Sequence, residues 1–435
     1  MQIIVRFLAA TALALAAVQP LRAQPELTLP FMTGAVQSVQ ANPAWMPDKH
    51  VYIALPAAAV GATHSGFAIE DLLKPVPGTD SLRVDIESAL ARMSDQNEVR
   101  VQARADALML GIRVKGLFVH VSGSSRAQLH LRYPKSLAEV AWYGNAPYAG
   151  QELDLAPSLD AQAFHEIAAG ASLRLGKLDL GARVKYLIGV GAVRTQRKSL
   201  QLNTDEITYD IALDADYEVL TSMVQPGDSG QFDPGFTFEA LPQNRGLALD
   251  LGAQFRIRDR IVLGAGVLDL GRIQWKQEAR LNRIRSTILF QGVDAWPLLL
   301  SDSLSGWSLE DSLDGAVAWT TQEQAFSTTL PAVAYLSAQA TWFKVLKTGL
   351  IVRGIFQDGD ITPEAGLYGG VELGKVLSAG LSYGYRPQGI SSFGAQVHLK
   401  LGPLALYVLT EHLEAAFVPL RARGAQVRTG ASLVF

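Results

Sequence analysis

The sequence has no cysteine among its 435 residues. That excludes disulfides, thiolate metal centres and a lipid-modified N-terminal cysteine. Charge is sparse as well: 18% of residues are charged and the formal net charge is -3. No basic surface points to nucleic acid as a partner. A hydrophobic fraction of 49% excludes a disordered chain, which combines low hydrophobicity with high net charge. Beyond residue 23 there is no run of about 20 apolar residues, so helical membrane spans are excluded. A membrane-embedded chain of this kind must close into a barrel, where backbone groups pair between strands.

What is present is alternation with a period of two. In Leu247 to Arg258, the residues Leu247, Leu249, Leu251, Ala253, Phe255 and Ile257 form one face. Asp250, Gln254, Arg256 and Arg258 form the other. The stretch from Leu178 to Ile188 puts Arg183 and Lys185 on its polar face, and Phe393 to Leu401 does the same with His398 and Lys400. One apolar and one charged face suit a strand between lipid and a polar lumen. A soluble sandwich alternates in the same way, so the connections must decide. Strands are expected near 51–63, 99–113, 117–133, 163–176, 178–190, 246–258, 260–275, 326–342, 348–358, 363–374, 376–386, 391–401, 403–413 and 425–435. Every second connection is tight, as at Lys115-Gly116, Gly176-Lys177 and Gly402-Pro403. The others are mostly long. Short turns at one end and long loops at the other mark an outer-membrane barrel. The expected fold is therefore an all-β, antiparallel transmembrane barrel of about 14 strands. Residues 207–219 also alternate. They are read as part of a hairpin above the membrane because that face carries Asp210, Asp214, Asp216 and Glu218, and a count of 16 stays open.

Short helices are expected in the long loops. Ser136 to Glu139 reads as a capping box opening a helix that stops at Gly144. Asp80 to Met93 has helical apolar spacing. At the N-terminus, Arg6, the apolar stretch Phe7–Val18 and Leu21-Arg22-Ala23 read as a cleaved export signal over residues 1–23. At the C-terminus, Thr429 to Phe435 resembles the signal read by the barrel-assembly machinery, with Gly430, Leu433 and Phe435 at its fixed positions. Physically this is an apolar-striped strand offered for strand addition. Arg428 is placed on the lumen side of that strand.

Catalytic chemistry is not expected. Gly380-Leu-Ser-Tyr-Gly384 matches the nucleophile-elbow pattern, but it lies inside an alternating strand with no helix following. His120 and His130 share one strand face but stand about 33 Å apart along it, too far to share a metal. No metal, cofactor or catalytic residue is assigned.

Residues 24–50 precede the first strand and contain Asn42-Pro43-Ala44. Asn-Pro forms turns anywhere. Here, however, the segment resembles the FadL-type long-chain fatty acid transporters, in which an Asn-Pro-Ala motif lies in an N-terminal hatch inside a 14-stranded barrel. That resemblance implies a hatch or plug over residues 24–50 and a barrel over residues 51–435. A second resemblance covers most of the chain. It is carried by Asn42-Pro43-Ala44 with Val51 to Pro56, Tyr133-Pro134-Lys135, Gly181 to Leu187, Leu268 to Trp275 and Phe290 to Asp294. These look like an uncharacterised family of Bacteroidota outer-membrane barrels, a domain of unknown function, with gliding and type IX secretion barrels as distant relatives. It implies location and fold but no substrate. Two functions follow: transport or binding of a hydrophobic or amphiphilic small molecule, or an assembly component presenting loops to partner proteins. The expected surroundings are outer-membrane lipid and the barrel-assembly machinery.

The last strand allows a direct check. Leu433→Arg puts a charge on the proposed lipid face, which costs about 2–4 kcal/mol at mid-membrane and less near the interface. Ser432→Arg puts it in the lumen. Folded, heat-modifiable protein in the outer membrane should fall for the first and persist for the second. Equal yields would contradict the assigned faces.

Overall fold

The computed structural model describes residues 26–32, 34–79, 81–224, 243–258, 260–290, 319–357, 359–374, 376–385 and 391–435. The expected export signal at 1–23 and most of Phe290 to Asp294 lie outside the described residues.

The chain forms a closed antiparallel barrel of 14 wall strands. The first strand is Val51–Ala54 continued by Ala57–His64, the second Gln96–Val114, the third Leu117–Pro134 and the fourth Ser158–Leu175. The fifth is Leu178–Thr204, the sixth Arg245–Ile257 and the seventh Ile261–Trp275. The eighth is Phe326–Thr329 continued by Ala332–Trp342, the ninth Leu346–Gln357 and the tenth Asp360–Leu373. Leu377–Tyr385, Ser392–Leu401, Leu404–Thr410 and Gly424–Val434 complete the ring. The seam closes between first and last strands, where Tyr52 faces Val434 and Ala58 faces Thr429.

The tight turns follow from backbone geometry. A two-residue hairpin matching the strand twist needs positive φ. Lys115 (φ 54), Gly176 (φ 62), Gly374 (φ 66) and Gly402 (φ 61) supply it at the short-turn end. Outward positions are apolar and exposed: Leu247, Leu336 and Leu381 are each more than 60% exposed. Inward positions on the same strands, such as Ala248, Asp250, Tyr335 and Ser382, are buried. The polar face is thus the packed one, which is the pattern of a filled lumen.

The wall is irregular at the sixth strand. Arg245–Ile257 pairs with Leu178–Ile188 of the fifth strand. Beyond that point a separate strand, Ile211–Ser222, takes over the same slot, pairing with residues 192–204 and with the strand Ala279–Phe290. Residues 192–204 therefore extend the fifth strand, where a loop was expected, and the observed hairpin strand starts at Ile211. Its acidic face is answered by basic residues of the neighbouring strands. Arg197 lies 3.3 Å from Asp216, and Arg283 lies 2.9 Å from Glu218.

The loops also depart from expectation. The helix after the third strand is Lys135–Tyr143 and stops at Gly144 (φ 75). Its N-terminus has no side-chain cap; Ser136 Oγ instead donates to the Asp154 carbonyl. Residues 82–84 form a small hairpin with Leu73–Pro75, so the following helix is only Ile86–Arg92. Asp85 caps it by accepting from the Ser88 N–H, which holds the Asp85 carboxyl below its usual range.

The gap between Ser222 and Arg245 is closed by one buried side chain. Asn244 Oδ1 accepts from the N–H groups of Lys276 (2.7 Å) and Gln277 (2.9 Å). Its Nδ2 donates to Ser222 Oγ at 3.1 Å, and its carbonyl accepts from Gly189 N–H at 2.9 Å. The side chain thus replaces ladder hydrogen bonds where the strand is interrupted. Asn244→Ala should lower the temperature at which the folded band is lost on a gel, because each orphaned buried donor costs about 1–3 kcal/mol. Asn244→Asp, which keeps the acceptor, should fall between the two. An unchanged transition for Asn244→Ala would contradict this account of the junction.

Candidate functional site: the lumen and the segment inside it

Residues 26–32 and 34–47 run inside the barrel. Two short 3₁₀ turns, Leu29–Phe31 and Val36–Gln40, fold the segment upon itself. Ser38 Oγ donates to the Met32 carbonyl at 2.5 Å, and Asn42 N–H donates to the Ser38 carbonyl at 2.9 Å. The segment's apolar side chains are its anchors. Trp45, Tyr52 and Phe118 meet edge to face, with ring centroids 5.8–6.0 Å apart. Phe31 stacks on Tyr368 of the tenth strand at 5.1 Å. Such aromatic pairs add about 0.5–1.5 kcal/mol each beyond area burial.

The Asn-Pro-Ala turn lies against wall positions that have little side chain. Asn42 Oδ1 accepts from Ala44 N–H at 3.1 Å, fixing the turn. The Pro43 carbonyl accepts from Ser172 Oγ of the fourth strand at 2.8 Å. A methyl group at Gly181 of the fifth strand would sit 1.9 Å from that carbonyl oxygen, and one at Gly252 of the sixth 3.0 Å from Ala44 N. These two glycines make room for the turn.

Towards the long-loop end, the segment's polar groups pair with the opposite wall. Thr28 N–H donates to Glu411 Oε1 at 2.9 Å, and its hydroxyl lies 2.8 Å from Ser382 Oγ. Ser382, the serine of the elbow pattern, is thus in contact with the N-terminal segment. Glu26 accepts from Arg428 at 3.1 and 3.2 Å. Gln40 accepts from Arg428 and donates to Asp106 at 3.1 Å.

From there a buried ionic network crosses the lumen wall. Arg428 and Arg104 share Asp106, at 3.2 and 2.7 Å. Arg104, Arg126 and Arg183 converge on Glu166 at 3.2–3.4 Å. Arg126 binds Asp269 with both terminal nitrogens, at 2.8 and 2.9 Å. Lys185 bridges Asp250 and Asp269 at 2.6 Å each, and Arg183 holds the other oxygen of Asp250 at 2.9 Å. Acids and bases alternate throughout. Breaking one buried partner in such a network costs about 3–5 kcal/mol, because the charge left behind is uncompensated.

Asp269 enters this network through a bulge. The sixth and seventh strands slip register between Leu249 and Leu251. Asp269 takes φ 58 there, and its N–H donates to Asp250 Oδ1 at 2.7 Å. Beyond the bulge the facing of the seventh strand switches, so Ile273 and Trp275 are buried inside. Plain alternation from Ile261 puts Asp269 on the outer face, which is why the sequence alone does not find it. Arg104, Asp106 and Arg126 do lie on alternating polar faces, and that signal was readable. The contacts of Glu26 and Thr28, and that of Gln40 with Arg428, span more than 300 residues, and no local pattern carries them.

The other sequence-derived residues fall as follows. Arg183, Lys185 and Asp250 are brought together in the network. Arg256 is apart from it, at the short-turn end, bound to Asp179 at 2.6 and 2.9 Å. The His398 ring packs against Gly34, where a methyl would meet it at 2.5 Å. Gly430 faces Tyr407, whose ring would meet a methyl there at 2.6 Å. Leu433 is partly exposed, Ser432 is buried and Phe435 is 55% exposed. His120 and His130 are both buried, and His130 lies 2.9 Å from Glu98. No group of metal-ligating side chains occurs among the described residues.

Two small cavities lie in the lumen among the described residues. One, of about 110 Å³, lies between Leu29, Leu268 and Ile351 on one side and Arg104, Arg126 and Arg428 on the other. The second, of about 50 Å³, lies nearer the long-loop end. Both are lined by Gln102 and Gln128. A site that encloses a drug-sized ligand has about 300–1,000 Å³. Neither of these two cavities is large enough for one.

The fold defines a lumen-filled, closed 14-strand barrel. The chain belongs to a family of unknown function (DUF5723), whose model matches residues 43–411. No curated protein matches the sequence. Among solved structures, it is similar to a Pseudomonas aeruginosa FadL homologue, with 11% identity, a TM-score of 0.44, and coverage of 91% of this chain and 93% of that one. It is also similar to the P. putida toluene transporter TodX, with 10% identity, a TM-score of 0.44, and coverage of 92% and 94%. For the Ralstonia pickettii toluene transporter TbuX the values are 9%, 0.41, 92% and 93%.

Gly181→Ala tests the seat of the turn. Its methyl overlaps the Pro43 carbonyl, so the segment must shift, and single-channel conductance of the purified protein should rise. Gly123→Ala, whose methyl meets open space, should leave conductance unchanged. Identical traces for both would contradict the seating.

Proposed function

We propose that this protein is an outer-membrane channel that binds and passes an amphiphilic small molecule, with residues 24–50 as its plug. The lipid setting is supported by the outer face, which carries a belt of exposed Leu, Val and Phe on successive strands; extended exposed apolar surface of this kind marks a membrane or partner contact. Strands rather than helices cross the bilayer in this reading, and the barrel reaches its membrane through a cleaved signal over residues 1–23. Gly430, Leu433 and Phe435 present the last strand to the barrel-assembly machinery before the first strand pairs with it. A Bacteroidota origin belongs to the same reading. The protein is not an enzyme in this account.

The observation that carries the ligand class is the larger cavity. It has an apolar side and a polar side, and its floor belongs to the N-terminal segment. Displacing that segment joins the cavity to the short-turn end. The rival reading, an assembly component, is favoured by exposed apolar residues at the long-loop end: Trp142 is 54% and Ile207 87% exposed.

Deleting residues 24–46 separates the two. The channel reading expects a folded, heat-modifiable barrel with raised conductance and faster uptake of small solutes into liposomes. A folded barrel with unchanged permeability would contradict a plug and leave the assembly reading.

A further inference from the structure

Three glutamines stand side by side on the lumen wall. Gln102 of the second strand faces Gln128 of the third, which faces Gln162 of the fourth. Neighbouring strands lie about 4.8 Å apart, so the three side chains form a row roughly 10 Å long. Gln162 is committed to the wall. Its Nε2 donates to the Thr329 carbonyl at 3.3 Å, and its Oε1 accepts from Thr328 Oγ1 at 2.6 Å. Thr328 in turn accepts from Trp275 Nε1 at 2.9 Å.

Gln102 and Gln128 differ. Neither side chain has a hydrogen-bond partner among the described residues, and both line both cavities. Each free carboxamide offers two donors and an acceptor. The cations around them are already taken: Arg100 by Glu98 at 3.0 Å, Arg104 by Asp106, Arg126 by Asp269 and Arg428 by Glu26. An entering carboxylate would meet neutralised guanidinium groups and would be buried without a counter-charge, which is costly. A neutral group that both donates and accepts would be matched by the amides. Apolar surface lies across the cavities, from Pro331 and Ile355 down to Ile351 and Leu29.

We propose that Gln102 and Gln128 form a subsite for the neutral, hydroxyl-bearing head group of an amphiphile. The apolar part lies along the opposite wall once the N-terminal segment shifts, since the two cavities as they stand are too small for a whole amphiphile, and a carboxylate head group is disfavoured. This rests on the channel reading above and names its ligand class.

The test uses the full-length protein in lipid nanodiscs, with empty nanodiscs as reference. Octyl β-glucoside and octanoate share a chain length and differ in head group. Calorimetry should show the glucoside binding at least ~10-fold more tightly than octanoate. Replacing both amides (Gln102→Leu with Gln128→Leu) should weaken the glucoside by about 10-fold, the loss of two ordinary hydrogen bonds, and leave octanoate unchanged. If the double variant does not fold, Gln128→Met alone should give a smaller loss in the same direction. Octanoate binding as tightly as the glucoside overturns the subsite and leaves the channel reading intact. So does a folded double variant that binds the glucoside like the parent. Binding of neither amphiphile overturns both.

Discussion

The pairing between the first and last strands is the constraint on which the rest depends. Strands in hydrocarbon have no water to satisfy their edges, so the ring must close completely. Tyr52 opposite Val434 closes it. Closure fixes which residues face inward, and the inward set carries the charges. Those charges then have no bulk solvent of their own and must find partners across the lumen. The alternation of Arg104, Asp106, Arg126, Glu166, Asp269 and Lys185 answers that demand. The interrupted sixth strand shows the same pressure on the backbone, with Asn244 supplying the hydrogen bonds that a continuous strand would have made.

The N-terminal segment enters the same accounting. It covers the aromatic and aliphatic side chains of the lower lumen and brings Glu26 to Arg428. Without it, Arg428 would keep Asp106 and lose the bidentate carboxylate. Buried ion pairs are weak evidence for stability, since desolvation offsets attraction. Their effect here is positional. They hold the segment at one height and one orientation, and in the lumen lie two small cavities whose only uncommitted polar groups in the glutamine row are neutral amides. The placement of the segment and the neutral lining of the cavities therefore have one origin, which is the pairing of nearly every nearby charge.

Much of the wall was legible in the sequence. Alternation at Leu247 to Ile257 and the left-handed turns at Lys115, Gly176 and Gly402 place strands and hairpins locally, because both signals arise within a few residues. Three kinds of feature were not legible. The bulge at Asp269 reverses the facing that alternation implies. Residues 192–204, which carry no acid, read as loop, and the pairing of Ile211–Ser222 with Ala279–Phe290 is long-range and leaves no local signal. Ser136 has the right spacing for a cap, but its hydroxyl is drawn to the Asp154 carbonyl. Within the site, Arg183, Lys185 and Asp250 were visible as polar-face residues. Glu26 and Gln40 were not, since only the folded barrel brings them to Arg428.

The central claim is that the N-terminal segment lies inside the lumen, with its first described residues against the long-loop half of the wall. The absence of native cysteine allows a direct measurement. Thr28 and Ser382 place their hydroxyl oxygens 2.8 Å apart. Cysteines introduced at both positions should form a disulfide when the folded protein is oxidised in its membrane, read as altered gel mobility reversed by reductant. Single-cysteine variants should show no such shift. Failure of the pair to cross-link in a folded barrel would contradict the placement of the segment.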